Sequence, residues 1–283
     1  MPIYKPTELR LFLNQLGISP KKGLSQNFLI DGNIIRKIVA TAEVHPEDTI
    51  LEIGPGPGSL TQALLETGAH VLAVEKDAML AQALERLQTP TQQLTIFCHD
   101  ILTFPLQKEV SHLAPKDHKA KVIANLPYHL TTPIIAQFIP LLELFTSLTV
   151  MVQDEVARRL TAKPGTTEYS SFTIFLRFYT QPRYAFTVSR NCFYPIPKVN
   201  SAVVVLKLRE PPLKGEDVVT FFQLTRTAFE HRRKMLRASL KNLFPSHVIE
   251  EALKAIGENP LARPETLSLE QFLQLHSFLY HSS

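Results

Sequence analysis

Four consecutive residues, Asn125-Leu126-Pro127-Tyr128, have the chemistry to hold a flat ring that carries an amino group. The Asn side-chain oxygen and a main-chain carbonyl can each accept a hydrogen bond from an exocyclic NH2 group. Pro127 fixes the backbone and removes one donor, and Tyr128 offers an aromatic face for stacking. These properties suit a nucleobase. The tetrapeptide also fits an ordinary turn at the end of a strand, because Asn and Pro are common in turns.

A glycine-rich segment, 52–58 (EIGPGPG), is a second candidate site. Its glycines would let the backbone pass close under a ligand. The spacing differs from the dinucleotide fingerprint, since Ser59 occupies the place of the third required glycine. A phosphate-binding P-loop is also excluded, because Gly-Lys-Ser/Thr is missing. The pattern that remains is E-x-G-x-G-x-G, and its alternative interpretation is a purely structural turn between a strand and a helix.

Two acidic residues occupy places from which they could contact the same ligand. Glu75 lies at the end of the second predicted strand. A carboxylate there could accept hydrogen bonds from both hydroxyls of an adenosine ribose. Asp100 lies just past the third predicted strand and could accept a hydrogen bond from an adenine amino group. Either acid alone is equally compatible with a solvated loop. Together, the two acids could contact two parts of one ligand that lies along the edge of a sheet.

The elements that must position these residues alternate between short β-branched runs and helical stretches from Thr49 to about Gln153. This alternation is typical of a parallel sheet with crossover helices. The expected strands are 49–53, 70–74, 94–98, 121–124 and 148–153. The expected helices are 33–42, 59–67, 77–87 and one that starts near residue 132. The candidate residues therefore follow strand ends that meet at one edge.

Further elements complete the prediction. Ser59 is the expected N-cap of its helix, and Gly68 lies just past its end. Segments 172–188 and 201–208 are expected to form an antiparallel pair of strands that closes the sheet. Helices are then expected at 218–243, 247–256 and 269–279. The proline-containing break near residue 211 divides the chain into an α/β domain, 1–210, and a small all-helical domain, 211–283.

The composition is that of a soluble globular protein, with 45% hydrophobic and 20% charged residues. We find no signal-peptide core and no apolar run of the ~18 residues that a membrane span needs. These observations predict a cytoplasmic protein without membrane contact. Cys98 and Cys192 lie far apart, which argues against a disulfide framework or a zinc knuckle. The ten histidines show no metal-binding spacing, so no metal is expected.

Positive charge is concentrated in one segment. The chain has a formal net charge of +4, which is compatible with nucleic-acid binding but not diagnostic. Between Arg226 and Lys241 there are six cationic residues and only one acidic residue, Glu230. A solvated helix face would usually mix signs. The segment is therefore predicted to bind phosphates.

Taken together, these motifs resemble a known family. The E-x-G-x-G-x-G spacing resembles motif I of the class I methyltransferases that use S-adenosylmethionine (SAM). Over almost its whole length the chain resembles the KsgA family of small-subunit ribosomal RNA adenine dimethyltransferases. The matching segments occur in family order: 23–29 (GLSQNFL), 51–61 (LEIGPGPGSLT), 74–77 (VEKD), 99–102 (HDIL), 125–128 (NLPY), 193–199 (FYPIPKV) and 232–234 (RRK). One departure is His129, where the family more often has Asn.

The resemblance implies an α/β fold of the class I SAM-dependent methyltransferase type, with a Rossmann-like sheet and a small all-helical, RNA-binding carboxyl-terminal domain. The implied cofactor-binding residues are Asn27, Leu29, Gly54, Glu75, Asp100 and Asn125. The implied catalytic residues are Asn125, Leu126, Tyr128 and Phe193, of which Tyr128 and Phe193 would sandwich the target base. The implied RNA-binding residues are Arg232, Arg233, Lys234 and Arg237.

The implied reaction is direct transfer of the SAM methyl group to N6 of two adjacent adenosines in 16S rRNA. The implied partner is the immature small ribosomal subunit, and we expect a monomer. Two alternatives remain open from the sequence. The first is an Erm-like methyltransferase of 23S rRNA, although Leu126 and the R-R-K segment argue against it. The second is a protein that acts mainly as an assembly checkpoint.

Overall fold

In this computed structural model, which describes residues 3–20, 26–90, 93–114 and 118–281, a seven-stranded sheet forms the centre of the first unit. Its strand order is β4-β3-β2-β5-β6-β9-β7, and β1 pairs with β8 separately. The strands are β1 (Phe28–Leu29), β2 (Thr49–Ile53), β3 (His70–Glu75), β4 (Leu94–Cys98), β5 (Ala120–Asn125), β6 (Phe145–Gln153), β7 (Thr180–Val188), β8 (Phe193–Tyr194) and β9 (Ser201–Leu208).

Strands β2 to β6 pair in parallel with one another, and β9 runs antiparallel to β6. The helices are α1 (Pro6–Gln15), α2 (Gly32–Thr41), α3 (Ser59–Leu65), α4 (Ala78–Ala83), α5 (Leu106–Leu113), α6 (Thr131–Phe138), α7 (Asp154–Leu160), α8 (Ser171–Tyr179), α9 (Glu216–Glu230), α10 (Leu236–Ser239), α11 (Ser246–Ala255) and α12 (Leu269–His281). The parallel strands alternate with helices, so the α/β class is confirmed.

The turn before α3 corrects one prediction. Gly58, and not Ser59, is the N-cap of α3, and it has a φ of 87°. That conformation favours glycine, and an added Cβ would lie 2.7 Å from a methyl group of Leu84. The Ser59 hydroxyl instead donates to the Ile3 carbonyl at 3.3 Å. The left-handed conformation of Gly58 and its close approach to Leu84 therefore require glycine at this position.

Helix α2 has its own cap. The Asp31 carboxylate accepts hydrogen bonds from the Asn33 and Ile34 amides at 2.9 and 3.2 Å. Asp31 therefore begins α2, and neither Gln26 nor Asn27 is needed to cap the helix. Of the segment 23–29, residues 23–25 lie outside the described residues.

The prediction of a strand over 172–188 is wrong for its first half. Residues 171–179 form α8, which begins with a capping box between Ser170 and Thr173. Ile174 and Phe178, one turn apart, are fully buried, and the Phe178 ring stacks on Phe221 at 5.2 Å between centroids. The residue types favour a strand, but the cap and the packing partner favour a helix.

The second unit consists of Arg158–Thr180 and Glu210–Ser283, and the first unit contains Met1–Ala157 and Gln181–Arg209. The core of the second unit includes buried residues of α8, α9, α11 and α12. Segment 158–180, which the sequence analysis placed with the sheet, therefore joins the helical unit because its aromatic side chains pack there. None of the helices in the described ranges has the length and apolar character of a bilayer span.

The basic segment is not one helix. The predicted helix 218–243 is interrupted, because α9 ends at Glu230 and a turn leads to the short α10. Within this turn the Arg232 guanidinium donates to the carbonyls of Thr166 and Thr167, the former at 2.9 Å. Arg232 thus fastens the turn to the loop before α8.

Candidate active site

A cleft opens at the sheet edge where β2, β3 and β5 end, together with the loop after β4. Parallel strands place their carboxyl ends at one edge, which is where ligands bind in open α/β sheets. The cleft brings together most of the predicted site residues: Asn27, Leu29, Gly54, Glu75, Asp100, Asn125, Leu126 and Tyr128. Phe193 does not line it.

The glycine-rich turn forms one wall of the cleft. Gly54 has a φ of 63°, and no atom lies within 4 Å of the position that a Cβ would occupy. Its amide donates to the Val74 carbonyl at 2.9 Å, which ties the turn to β3. Gly56 has a φ of 58°, and a Cβ there would lie 3.0 Å from the Phe28 ring. The open space beside Gly54 is therefore available to a ligand, whereas Gly56 is required by the conformation and packing of the turn.

Glu75 is oriented by two main-chain amides. One carboxylate oxygen accepts from Gly56 N at 3.0 Å, and the other accepts from Asp77 N at 2.9 Å. Burial raises the pKa of Glu75, and the amides of Asp77 and Gly56 oppose that increase. The remaining lone pairs of a carboxylate held in this way can accept hydrogen bonds from hydroxyl groups of a ligand.

Glu52 begins the predicted E-x-G-x-G-x-G segment, but the sequence indicated no separate role for it. It is fully buried at the floor of the cleft, and this burial raises its pKa to about 8. The Thr61 hydroxyl lowers the pKa, and the nearby Glu75 carboxylate raises it. Among the described residues, Glu52 Oε2 has no hydrogen-bond partner. The sequence signals for Glu52 are its place at the start of the E-x-G-x-G-x-G pattern and in the otherwise apolar end of β2.

Asp100 is engaged on both carboxylate oxygens. Oδ1 accepts from the Leu102 amide at 3.0 Å, and Oδ2 accepts from the Lys76 ammonium at 2.7 Å. The bond to Lys76 is the main reason why the pKa of Asp100 is lowered. Asp100 is therefore ionised, and a ligand amino group would share it with Lys76, a partner that the sequence analysis missed.

Asn125, at the end of β5, is held across the cleft. Its Nδ2 donates to the main-chain carbonyl of Asn27 at 3.0 Å. This bond uses the amide nitrogen and leaves Oδ1 to act as an acceptor. The next residue, Leu126, has a buried side chain and donates its amide to the Met151 carbonyl at 3.1 Å. The side-chain oxygen and the main-chain carbonyl that were predicted to accept from an amino group are thus both held at the end of β5.

Tyr128 is fixed by its hydroxyl group. The hydroxyl forms a hydrogen bond of 2.9 Å with Ser201 Oγ at the start of β9. Burial raises the pKa of Tyr128, and the bond to Ser201 opposes that increase. The phenol is therefore neutral near pH 7 and its ring lines the cleft. His129 is exposed beside it.

Phe193, the second ring of the predicted sandwich, lies away from the cleft in this structure. Its ring is 1% exposed and belongs to the core, where Phe193 pairs with Leu29 in the β1–β8 ladder. The ring presents no face to the cleft in this conformation, so its stacking role stays a prediction. Tyr128 is therefore the aromatic member of the predicted pair that the structure places at the cleft.

The predicted RNA-binding residues divide into two groups. Arg232 contacts the loop before α8, and Arg237 forms an ion pair of 2.5 Å with Glu250. Arg233 and Lys234 are exposed. Within the described ranges, no group of three or more His, Cys, Asp or Glu side chains could hold a metal ion.

Comparison with known proteins identifies relatives over the full chain. The model of the ribosomal RNA adenine dimethylase family matches residues 18–280. The ribosomal RNA small subunit methyltransferase A of Protochlamydia amoebophila is 68% identical over 282 residues, which cover 100% of this chain and 99% of that protein. The protein of the same name from Chlamydia muridarum is 48% identical over 276 residues, 96% of each chain.

Two solved structures are also similar. The 23S rRNA methyltransferase ErmE superposes with a TM-score of 0.72 and 28% identity, covering 89% of this chain and 99% of ErmE. A dimethyladenosine transferase from Plasmodium falciparum superposes with a TM-score of 0.71 and 26% identity, covering 88% and 95%. The predicted methyltransferase fold, enzyme class and family are confirmed by these similarities. The chain belongs to the ribosomal RNA adenine dimethylase family.

Proposed function

We propose that this protein transfers methyl groups from SAM to N6 of two adjacent adenosines near the 3′ end of 16S rRNA, producing dimethyladenosine during small-subunit assembly. The observation that carries the proposal is the hydrogen bond from Asn125 to the Asn27 carbonyl, which leaves Asn125 Oδ1 as an acceptor in the cleft. The names of the Protochlamydia and Chlamydia relatives support the small subunit as the source of the RNA.

The cleft has the donor and acceptor groups that SAM requires. Glu75, which two amides hold in place, would accept hydrogen bonds from the ribose hydroxyls. Asp100 would accept a hydrogen bond from the adenine amino group. The open space beside Gly54 allows a ligand to lie against the main chain. Asn27 and Leu29 complete the cleft on the other side. When bound, SAM supplies an activated methyl group that carries its own leaving group.

The protein residues would then position and polarise the target amine. The adenine N6 lone pair is delocalised into the ring, which makes it a weak nucleophile. Hydrogen bonds from N6 to Asn125 Oδ1 and to the Leu126 carbonyl would favour a pyramidal nitrogen and stabilise the positive charge that develops there. No strong general base is required, because the methylated nitrogen is acidic and loses its proton readily. Catalysis is then mainly a matter of orientation.

The target base must leave its stack to enter the cleft. The Tyr128 ring, fixed through Ser201, would cover one face of the base. Such a stacking contact is worth roughly 1 to 3 kcal/mol. The buried Phe193 supplies no second face in this conformation.

RNA affinity would come largely from phosphate contacts. Arg233 and Lys234 are exposed and suited to that role. Arg232 and Arg237 instead contact residues of their own unit, through the Thr166 carbonyl and the Glu250 carboxylate. We expect the protein to act as a monomer in the cytoplasm on immature small subunits.

The test is methyl transfer from radiolabelled SAM to unmethylated small subunits, followed by nucleoside analysis. The wild-type protein should produce dimethyladenosine, and Asn125→Ala should abolish transfer while SAM still binds. Full activity of Asn125→Ala would remove the acceptor role. Large subunits in a parallel reaction test the 23S alternative, and methylation of those subunits alone would contradict the proposal.

A further inference from the structure

The loop 195–200, between β8 and β9, presents two large apolar side chains to solvent. Ile196 is 62% exposed and Val199 is 46% exposed. Both side chains are β-branched and therefore stiff. The chemistry proposed at N6 uses neither of them. The two exposed apolar side chains lie within four residues of each other in one loop.

The backbone of this loop is held in place. Arg190 donates from its amide to Asn200 Oδ1 at 3.0 Å and from its guanidinium to the Lys198 carbonyl at 3.5 Å. The Asp154 amide donates to the Asn200 carbonyl at 3.0 Å. The two prolines of the loop further restrict the main chain. The apolar side chains are therefore held outward by the fold, and little ordering would be needed for them to bind a partner.

Both ends of the loop adjoin residues that line the cleft. After the loop, Ser201 bonds to the Tyr128 hydroxyl at 2.9 Å. Before it, Tyr194 pairs with Phe28 in the β1–β8 ladder. Tyr128 and Phe28 both line the cleft. The surface formed by Ile196, Lys198 and Val199 is thus continuous along the chain with the walls of the target-base site.

The charge of this surface suits a nucleic acid. Lys198 is exposed between the two apolar residues, and Arg190 is exposed beside them. Sites for single-stranded nucleic acid combine cations for the phosphates with apolar or aromatic faces for the bases. A protein partner of opposite charge would need acidic groups around an apolar pair, but a nucleotide provides both features in one unit.

We propose that Ile196 and Val199 form an apolar platform for the nucleobase adjacent to the target adenosine, and that Lys198 holds its phosphate. The proposal rests on the proposed function, because it assigns a place to the neighbouring nucleotide of the same RNA segment. While one base occupies the cleft, the next covers the platform. The platform would therefore select an unstacked RNA strand and contribute to RNA binding without contacting SAM.

The experiment compares Ile196→Ser/Val199→Ser with a matched control, Val219→Ser, whose side chain is 60% exposed in α9. The substrate is unmethylated small subunits in excess SAM. The double variant should raise the KM for subunits by about tenfold, as expected for loss of one stacked base. The control should not change it, and the Kd of SAM measured by calorimetry should be the same for all three proteins.

A second substrate identifies the occupant of the platform. Small subunits whose rRNA has uridine in place of the neighbouring adenosine should raise the KM of the wild-type protein, because uracil stacks more weakly. The same substrate should have little further effect on the double variant, since the contact is already lost. If the uridine substitution and the double variant each raised the KM and their effects multiplied when combined, the proposal would be overturned. That result would point to a ribosomal protein on this surface.

Two further results distinguish failure of the platform from failure of the proposed function. An unchanged KM for Ile196→Ser/Val199→Ser would refute the platform and leave the proposed function standing, since the wild-type protein would still methylate. If the wild-type protein transferred no methyl groups to the subunits, the proposed function would fail and the platform with it. Lys198→Gln should decrease the slope of log affinity against log salt by about 0.7, the value for one phosphate contact to a single strand. An unchanged slope would remove Lys198 from the phosphate.

Discussion

The hydrogen bond between Tyr128 and Ser201 should orient the ring that stacks on the target base. Tyr128→Phe and Ser201→Ala remove the same 2.9 Å bond from opposite sides. A neutral hydrogen bond contributes about 0.5 to 1.5 kcal/mol. Each change should therefore decrease kcat/KM by about two- to twelvefold. Tyr128→Ala also removes the ring, so its loss should reach about ten- to a thousandfold.

The assay is steady-state methyl transfer to unmethylated small subunits, with SAM affinity measured separately as a control. If the bond acts only by orienting the ring, the double variant Tyr128→Phe/Ser201→Ala should be no worse than either single variant. Losses that multiply in the double variant would show that the two hydroxyls act separately. A fully active Ser201→Ala beside an impaired Tyr128→Phe would refute the reasoning.

Three further predictions concern the cofactor, the RNA and the buried acid. Glu75→Ala should weaken SAM binding at least about tenfold in calorimetry, because charged hydrogen bonds contribute about 1.5 to 3 kcal/mol each; an unchanged Kd would remove Glu75 from the ribose. Charge reversal of Arg233 and Lys234 should decrease the salt slope of subunit binding by about 1 to 2, whereas Arg232→Gln should mainly lower the Tm. Burial keeps Glu52 protonated in the folded protein up to a pKa of about 8, whereas the same group in the unfolded chain has the ordinary pKa of 4.5. The free energy of unfolding is therefore highest below the unfolded pKa. It decreases as the pH rises towards 8, by up to about 1.4 kcal/mol per pH unit. Glu52→Gln should therefore flatten the decrease in Tm between pH 5 and 8, and an equally steep decrease would contradict the assignment.

Much of the first unit could be predicted because its signals are local. The β-branched runs at 49–53, 94–98 and 201–208 became β2, β4 and β9 with the same bounds. Helix α8 could not be predicted in this way, because its aromatic residues favour strands by type. Its helical state depends on the cap between Ser170 and Thr173 and on the contact with Phe221.

The candidate site was predictable to a similar extent. Glu75, Asp100 and Asn125 follow strand ends, and parallel strands bring such ends to one edge whatever the details of packing. The orientation of Asn125 depends on Asn27, 98 residues away along the chain. The partner of Asp100, Lys76, belongs to another strand end. No local pattern contains either contact.

The sequence by itself determined the family, the α/β class and the residue types at the cleft, since these depend on spacing along the chain. The tertiary structure decided which of those side chains face the cleft and which atoms remain available. It buried Phe193 in the core, held Tyr128 through Ser201 and turned Ile196 and Val199 to solvent. The physical reason is that exposure and hydrogen-bond orientation depend on contacts between residues far apart in sequence, and these form only when the sheet and its connections are packed.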